Sequence, residues 1–455
     1  MIALFPLEVK VREFLPKIFL AYELIKKHNF KILISKSRFL TSQLPYLKNA
    51  IYLDKSISKE KDFILKKVKK NNFYTALDEE GPMLFWPKFF FETRLNDAVL
   101  KKTDTYFLRG HDELKLVKKY KPNLKNLNLR VIGHPKYDLL KPKVRHIFDR
   151  DVEKIKKKFK KFVFISSSFF LDIKGGEHNY VQFLKEKYAN TKTKKKNLSK
   201  VYKQWKEDSI NYTSLIEIIK KLSIKFPKIN FVFRPHPTQD IHKVRNRFGK
   251  IGKNVHVEYN YSVTPWIIAC DYYFHSHCTT SYEAAILNKK ILSFKKKNLG
   301  HEIPYSPGYN FNKANEFISF FSKNETKIEK YNFIKNKMPK KFIHNLSNSK
   351  LSTKLIANEF LNLINSNSST YSYPKQTLLG RCKINVIDLA KIFLNNFYYF
   401  FGIKKRQNEK FKNTSVKEIL NYLNLFQAKL KDKNKINFSV NKIDHQIFLI
   451  RKKSK

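Results

Sequence analysis

The chain alternates short apolar runs with segments whose apolar residues recur every three or four positions. IALFPL (2–7) reads as a strand, and residues 14–27 follow with helical spacing at Phe14, Ile18, Phe19, Tyr22 and Ile25. KILIS (31–35) predicts another strand. FYTALDEEG (73–81) predicts a strand running into an acidic loop, and DTYFLRG (104–110) and LRVIGHP (129–135) two more strand-and-turn units. After a charged helical connector, DRDVEKIKKKFKK (149–161), the alternation restarts with FVFISSS (162–168) and a loop containing GGEH. A lysine-rich stretch at 185–207 precedes the amphipathic segment TSLIEIIKKLSIKF (213–226). INFVFRPHP (229–237), NVHVEY (254–259), CDYYFHS (270–276) and KKILSF (289–294) complete a second set of strands. Strands alternating with helices imply a parallel sheet covered on both faces. Two such sets predict an α/β protein with two Rossmann-type domains, at 1–148 and 162–330, joined by a linker helix at 149–161. Ligands bind such sheets outside the carboxyl ends of the strands.

Residues 331–455 read differently, as a mostly helical, basic extension. Its apolar segment INVIDLAKIFLNNFYYFFGI (384–403) is interrupted by Asp388, Lys391, Asn395 and Asn396, which suits an amphipathic helix better than a membrane span. Residues 401–455 carry 15 Lys+Arg against 4 Asp+Glu, a surplus of 11. An aromatic helix beside such a tail fits an anionic membrane surface, and equally a helix packed back across the two domains.

Charge then changes the range of partners. The chain has 92 Lys+Arg and 38 Asp+Glu, a formal charge of +54. Hydrophobic residues at 42% and aromatics at 15% exclude a disordered polycation. The lysines are spread among Asn, Ile, Phe and Tyr, with no RGG tract, zinc-finger spacing or RNP-like strand beside them, so nucleic acid is not the expected partner. Three cysteines, Cys270, Cys278 and Cys382, fit no disulfide framework and no spaced metal cluster, which points to a reducing compartment. No basic stretch leads into a long apolar one at the N-terminus, so the expected location is cytoplasmic.

The candidate chemistry gathers at strand ends. In HSHCTTSYEAAILNKKIL (275–292) a strand gives way to a helix through His275, His277, Cys278, Thr279, Thr280 and Ser281, with Glu283 in the first turns. The hydroxyls can cap that helix, and its free N–H groups offer an anion site. The bland alternative is an ordinary capped βα unit. RPHP (234–237) presents Arg234 and His236 at the end of the preceding strand, between prolines that restrict the backbone. A histidine there can hydrogen-bond a phosphate and assist a departing nucleotide, or be merely exposed on a rigid turn. LDEEG (77–81) crowds Asp78, Glu79 and Glu80, and repulsion predicts a raised pKa for at least one, suited to a general base. A solvated acidic turn is the competing reading. Ser166 and Ser167 follow the first strand of the second domain and can reach a phosphate. His134 of GHPKYD (133–138) reads as a structural hinge. Arg12 and Glu13 could touch an acceptor or lie on a helix surface.

These residues together resemble the GT-B glycosyltransferases, and more closely the bacterial surface carbohydrate biosynthesis proteins. The likeness runs through PLEVKVRE, ALDEEG, VIGHPKYDLL, FVFRPHP and HCTTSYEAAILNKKILSF, covering residues 1 to about 300. The acidic motif, the HP motif and the Ser/Thr-rich helix start are similar to those of bacterial sialyltransferases and Kdo transferases. The resemblance implies two Rossmann-type domains facing across a cleft and a metal-independent transfer from a nucleotide sugar, first a CMP-nonulosonate such as CMP-Kdo or CMP-sialic acid. No cofactor and no metal ion are implied beyond that co-substrate. Glu79 or Glu80 would be the base, with Asp78 a lesser candidate on the acceptor side with Arg12 and Glu13. His236 would stabilise the departing CMP. Thr279, Thr280 and Ser281 would hold its phosphate, with Ser166, Ser167, Arg234 and His277 beside them and Glu283 on the ribose. The implied acceptor is a glycan or lipid-linked chain of a capsule or lipopolysaccharide, at the inner face of the cytoplasmic membrane. The architecture also resembles CDP-glycerol-type polyol-phosphate transferases and non-hydrolysing UDP-sugar epimerases. A non-enzymatic basic protein binding membrane or RNA remains the alternative outside the enzymes.

Overall fold

The apolar runs pair edge to edge into two separate sheets. The computed structural model describes residues 1–79, 94–167, 172, 194–237, 239–276, 278–296, 307–332, 342–346, 349–366, 414–432, 435–444 and 446–453. The chain divides into two units, one built on Met1–Ile147 and the C-terminal stretches, the other on Phe148–Pro339.

The first unit starts with β1 (Ile2–Leu7), α1 (Lys10–His28), β2 (Lys31–Lys36), β3 (Ile51–Asp54), β4 (Phe73–Leu77), β5 (Thr105–Leu108), α2 (His111–Tyr120) and β6 (Leu129–Val131). These strands are all parallel, in the order β2-β1-β3-β4-β5-β6. Strands β1, β3 and β5 are buried at every residue, as a sheet covered on both faces requires. The strand β3, four residues long, carries too few residues to show a period and was not among the predicted elements.

The second unit holds α3 (Asp149–Phe159), β7 (Phe162–Ser167), α4 (Lys194–Lys225), β8 (Asn230–Arg234), β9 (Val255–Val257), α5 (Val263–Ala269), β10 (Tyr272–Ser276), α6 (Ser281–Ile286), β11 (Lys290–Phe294) and β12 (Tyr309–Phe311). Its parallel order is β12-β11-β10-β7-β8-β9. The expected linker helix belongs to this unit: Ile155 and Phe159 of α3 join the core of Phe162, Phe164 and Trp266. Strand order reverses between β1 and β3 in the first sheet and between β7 and β10 in the second. At such a reversal the connections leave in opposite directions and open a crevice at the strand ends.

The C-terminal chain corrects the expectation of a helical extension. It supplies α7 (Ser352–Asn365), α8 (Val416–Lys429) and a hairpin of β13 (Phe438–Asp444) and β14 (Ile447–Lys452). Strand β14 runs antiparallel to β2 and brings the first sheet to eight strands. The cause lies in α1, where every residue from Phe14 to Ile25 except Leu15 is buried. A helix buried on nearly every side needs cover all round. Phe426 of α8 stacks on Phe19 with ring centroids 4.6 Å apart and also meets Tyr22. The segment 384–403 lies outside the described residues. Among the described residues no helix is long and apolar enough to cross a membrane.

Candidate functional site

In the first unit, strands β4, β5 and β6 deliver charged residues to one end of the sheet, and these interlock. Glu79, two residues beyond β4, has Lys17 Nζ 3.4 Å from Oε1 and His134 Nε2 3.4 Å from Oε2. His134 Nδ1 accepts the Lys136 amide at 3.0 Å, so Nε2 carries the proton that faces Glu79. All three side chains are buried. Lys17 Nζ also donates to the Pro6 carbonyl at 2.6 Å, which fixes it from α1 to the end of β1. Burial alone raises the Glu79 pKa. The Lys17 ammonium, the His134 hydrogen bond and charge, and Arg12 outweigh it and bring the pKa down to about 2. Glu79 is therefore not the acid whose pKa crowding was expected to raise, because positive groups rather than its acidic neighbours line the carboxylate.

Asp78 turns away from Glu79 to arginines. Its Oδ2 accepts Arg94 Nη2 at 3.1 Å, and its Oδ1 lies 3.5 Å from Arg109 Nη2. Glu113 on α2 takes the Arg109 backbone amide at 2.7 Å and Nη2 at 3.3 Å. Burial lowers the Arg109 pKa, and the Glu113 and Asp78 charges raise it further than burial lowers it. Glu13 accepts the backbone amides of Glu8 at 2.9 Å and Val9 at 3.2 Å, closing the start of α1 from within, while Arg12 reaches its Oε1 at 3.1 Å. Glu80 lies outside the described residues.

His134, which the sequence reads as a hinge, lies against Glu79. Gly133 explains the motif around it: its φ is +86°, and a Cβ there would sit 2.5 Å from Ser352 Oγ and 2.7 Å from the His344 carbonyl oxygen. Only glycine fits. Lys17 gave no sequence signal beyond a lysine in an apolar helix face, which is itself unusual enough to have flagged it.

The second unit's strand ends carry mainly hydroxyls and an imidazole, with Arg234 beside them. The register sets Arg234, Ser166 and His275 side by side across β8, β7 and β10. Ser166 Oγ lies 2.6 Å from Tyr273 OH and 3.3 Å from Thr280 Oγ1, and Tyr273 OH lies 2.6 Å from Thr280 Oγ1. Cys278 Sγ is 3.0 Å from the same Thr280 oxygen. Three hydroxyls thus close a triangle across the β7/β10 reversal. Tyr273 is buried, whereas Thr280 is partly exposed. Ser167 ends β7, Thr279 is partly exposed, and His277 lies outside the described residues.

The helix start behaves differently from the expected anion cradle. Thr280 occupies the N-cap position of α6 without a side-chain capping bond, its hydroxyl being turned to Ser166 and Tyr273. The amides of Ser281 and Tyr282 already bond the carbonyls of Cys278 and Thr279, both at 3.2 Å. Ser281 is buried. Glu283, expected on a ribose, is buried and accepts Thr264 Oγ1 at 3.1 Å.

Arg234 is also directed inward. Its Nη1 and Nη2 donate to the carbonyls of Asn260 at 2.9 Å and Tyr261 at 2.7 Å, and the guanidinium lies over the Tyr259 ring. Burial lowers its pKa to about 10. His275 is buried and stacked on Tyr273, and burial lowers its pKa to about 3. His236 remains partly exposed in a turn closed twice by Gln239: the His236 amide donates to Gln239 Oε1 at 2.8 Å, and the Gln239 amide to the His236 carbonyl at 2.8 Å. Among the described residues no group of three or more His, Cys, Asp or Glu side chains could hold a metal ion.

No family model and no curated protein sequence matches the chain. Among solved structures, UDP-GlcNAc 2-epimerase from Neisseria meningitidis bound to UDP-GlcNAc aligns with a TM-score of 0.47 and 12% identity over 79% of this chain and 99% of that one. The S. aureus MnaA–UDP structure aligns with a TM-score of 0.47 and 12% identity, over 82% and 99%. The wall teichoic acid polymerase TagF aligns with a TM-score of 0.47 and 10% identity, over 81% and 90%. At such identities and TM-scores these likenesses assign no role to any residue here.

Proposed function

We propose that the protein is a metal-independent, GT-B-type glycosyltransferase of surface-polysaccharide synthesis. It takes a nucleotide sugar, first a CMP-activated nonulosonate, and transfers the sugar to a glycan or lipid-linked acceptor. The observation that supports this reading most is the hydroxyl triangle at the strand-order reversal of the second unit. Three hydroxyls have one proton each for three mutual contacts, and the Ser166–Thr280 contact is the longest at 3.3 Å. Opening it frees a donor for a phosphate oxygen at little cost. His236, held by Gln239 at the adjoining strand end, supplies the second donor and stabilises the leaving nucleotide.

On the acceptor side, Glu80 is the proposed base. A carboxylate with a pKa near 2 draws a proton from a sugar hydroxyl poorly, so Glu79 serves this reading as an anchor that keeps Lys17 and His134 in place. The surplus of basic residues in 401–455 supports a place at an anionic membrane surface. Calorimetric titration with CMP, CDP and UDP tests the donor. Preference for cytidine nucleotides is expected, and binding of UDP alone would reject it. Turnover of CDP-glycerol with release of CMP would replace the sugar donor by a polyol-phosphate one. Glu80→Gln should abolish transfer while leaving CMP binding intact.

A further inference from the structure

Next to the His236 turn runs a chain of polar contacts, buried at Gln239, Tyr212 and Asp172, that the donor chemistry itself does not use. Gln239, which holds His236 through both main-chain groups, is buried and also hydrogen-bonds the Tyr212 hydroxyl from α4. That hydroxyl lies 2.9 Å from Asp172 Oδ2. Arg247, on the helix after the turn, donates Nε to Asp172 Oδ2 and Nη2 to Oδ1, both at 2.8 Å. The Asp172 carbonyl accepts the Asp240 amide at 2.6 Å. Asp172 lies five residues beyond β7, so these bonds join the chain leaving β7 to the chain leaving β8.

Asp172 also has a φ of +53°, a left-handed conformation that costs an aspartate roughly 1 kcal/mol. Such a residue persists where its surroundings over-determine it. Here a forked ion pair, a phenol and a main-chain amide do so together.

We propose that Gln239, Tyr212, Asp172 and Arg247 are positioning residues that lock the His236 turn to Asp172 and to α4, and so hold His236 in place in the donor site. The proposal rests on the donor-site reading of the second unit. The four act through His236. A misplacement of about 1 Å at such groups costs up to a hundredfold in rate, so their supports matter as much as their identity.

Tyr212→Phe removes a single hydroxyl and keeps the ring that packs on Phe248 at 6.0 Å. Arg247→Lys keeps the charge and loses the fork. Hydrogen exchange of the amides at His236, Gln239 and Asp240 should quicken about tenfold in both variants, with β10 and β11 unchanged. CMP affinity should fall about tenfold in Tyr212→Phe and likewise in Arg247→Lys, although the latter keeps the charge. Wild-type exchange in both variants, or quickening spread evenly over the sheet, would overturn the proposal. So would local quickening with unaltered CMP affinity. A wild-type protein that binds no nucleotide would reject the donor-site reading, while the exchange pattern would still decide whether these residues hold the turn.

Discussion

The two units share a sheet plan and differ in what they place at its carboxyl end. The first carries interlocked charges: Glu79 between Lys17 and His134, and Asp78 between Arg94 and Arg109. The second carries a triangle of hydroxyls, a neutral buried His275 and an arginine bonded to main-chain carbonyls, with the Asp172–Arg247 ion pair set five residues beyond β7. Buried charges cost several kcal/mol each unless paired, so the first arrangement is rigid and intolerant of losing a member. Hydroxyls can exchange partners cheaply and accept a guest. The difference suits one unit to hold reacting groups in place and the other to admit a ligand.

Removing one cation should separate them most. Lys17→Ala leaves Glu13 and Glu79 buried without their shared ammonium and should destabilise the first unit by about 3–5 kcal/mol. Ser166→Ala removes one neutral hydrogen-bonding group from the second and should cost about 1 kcal/mol. Urea unfolding followed by peptide-resolved hydrogen exchange measures both. Equal losses would erase the distinction.

Acid should sharpen it. His275 has its folded pKa lowered from 6.5 to about 3, so below pH 6.5 the unfolded chain takes up a proton that the folded one refuses. The second unit therefore loses roughly 1.4 kcal/mol per pH unit as pH falls from 6.5 toward 3. Glu79, lowered from 4.5 to about 2, contributes stability that is intact above pH 4.5 and fades only between there and 2. Acidification should loosen the second unit first, and His275→Leu should flatten its slope above pH 4.5. First-unit exchange that quickens above pH 5 would contradict the pairing of Glu79.

Although it missed the short β3 and β12, the strand pattern made most of both sheets legible, because buried parallel strands are continuous apolar runs: β7 and β8 lie within the runs read at 162–168 and 229–237. The hairpin β13–β14 was not, although IFLI in β14 is an apolar run of the same kind; basic composition hid it in a stretch read as helical. The positions of Ser166, Thr280 and His236 at strand ends followed from sequence order. Their long-range partners did not: Tyr273 reaches Ser166 from the neighbouring strand, as Lys17 reaches Glu79 from α1, through tertiary packing that no spacing encodes, whereas Gln239 closes the His236 turn from three residues on. The same holds for the inward turn of Arg234 and Glu283, whose charge suggested a ligand and whose surroundings supplied protein.

Smaller effects test the hydroxyl triangle itself. Tyr273→Phe leaves Ser166 and Thr280 one partner short and should cost about 1 kcal/mol of stability. Exchange in β7 and β10 that matches wild type would mean the triangle holds nothing together.

The central claim is that the strand-order reversal of the second unit holds the phosphate of a nucleotide donor. Isothermal titration of CMP into wild type and Thr280→Ala tests it directly. The account predicts binding to the wild type and affinity about tenfold weaker without the hydroxyl. Identical affinity in the two proteins, or no binding to either, would contradict it.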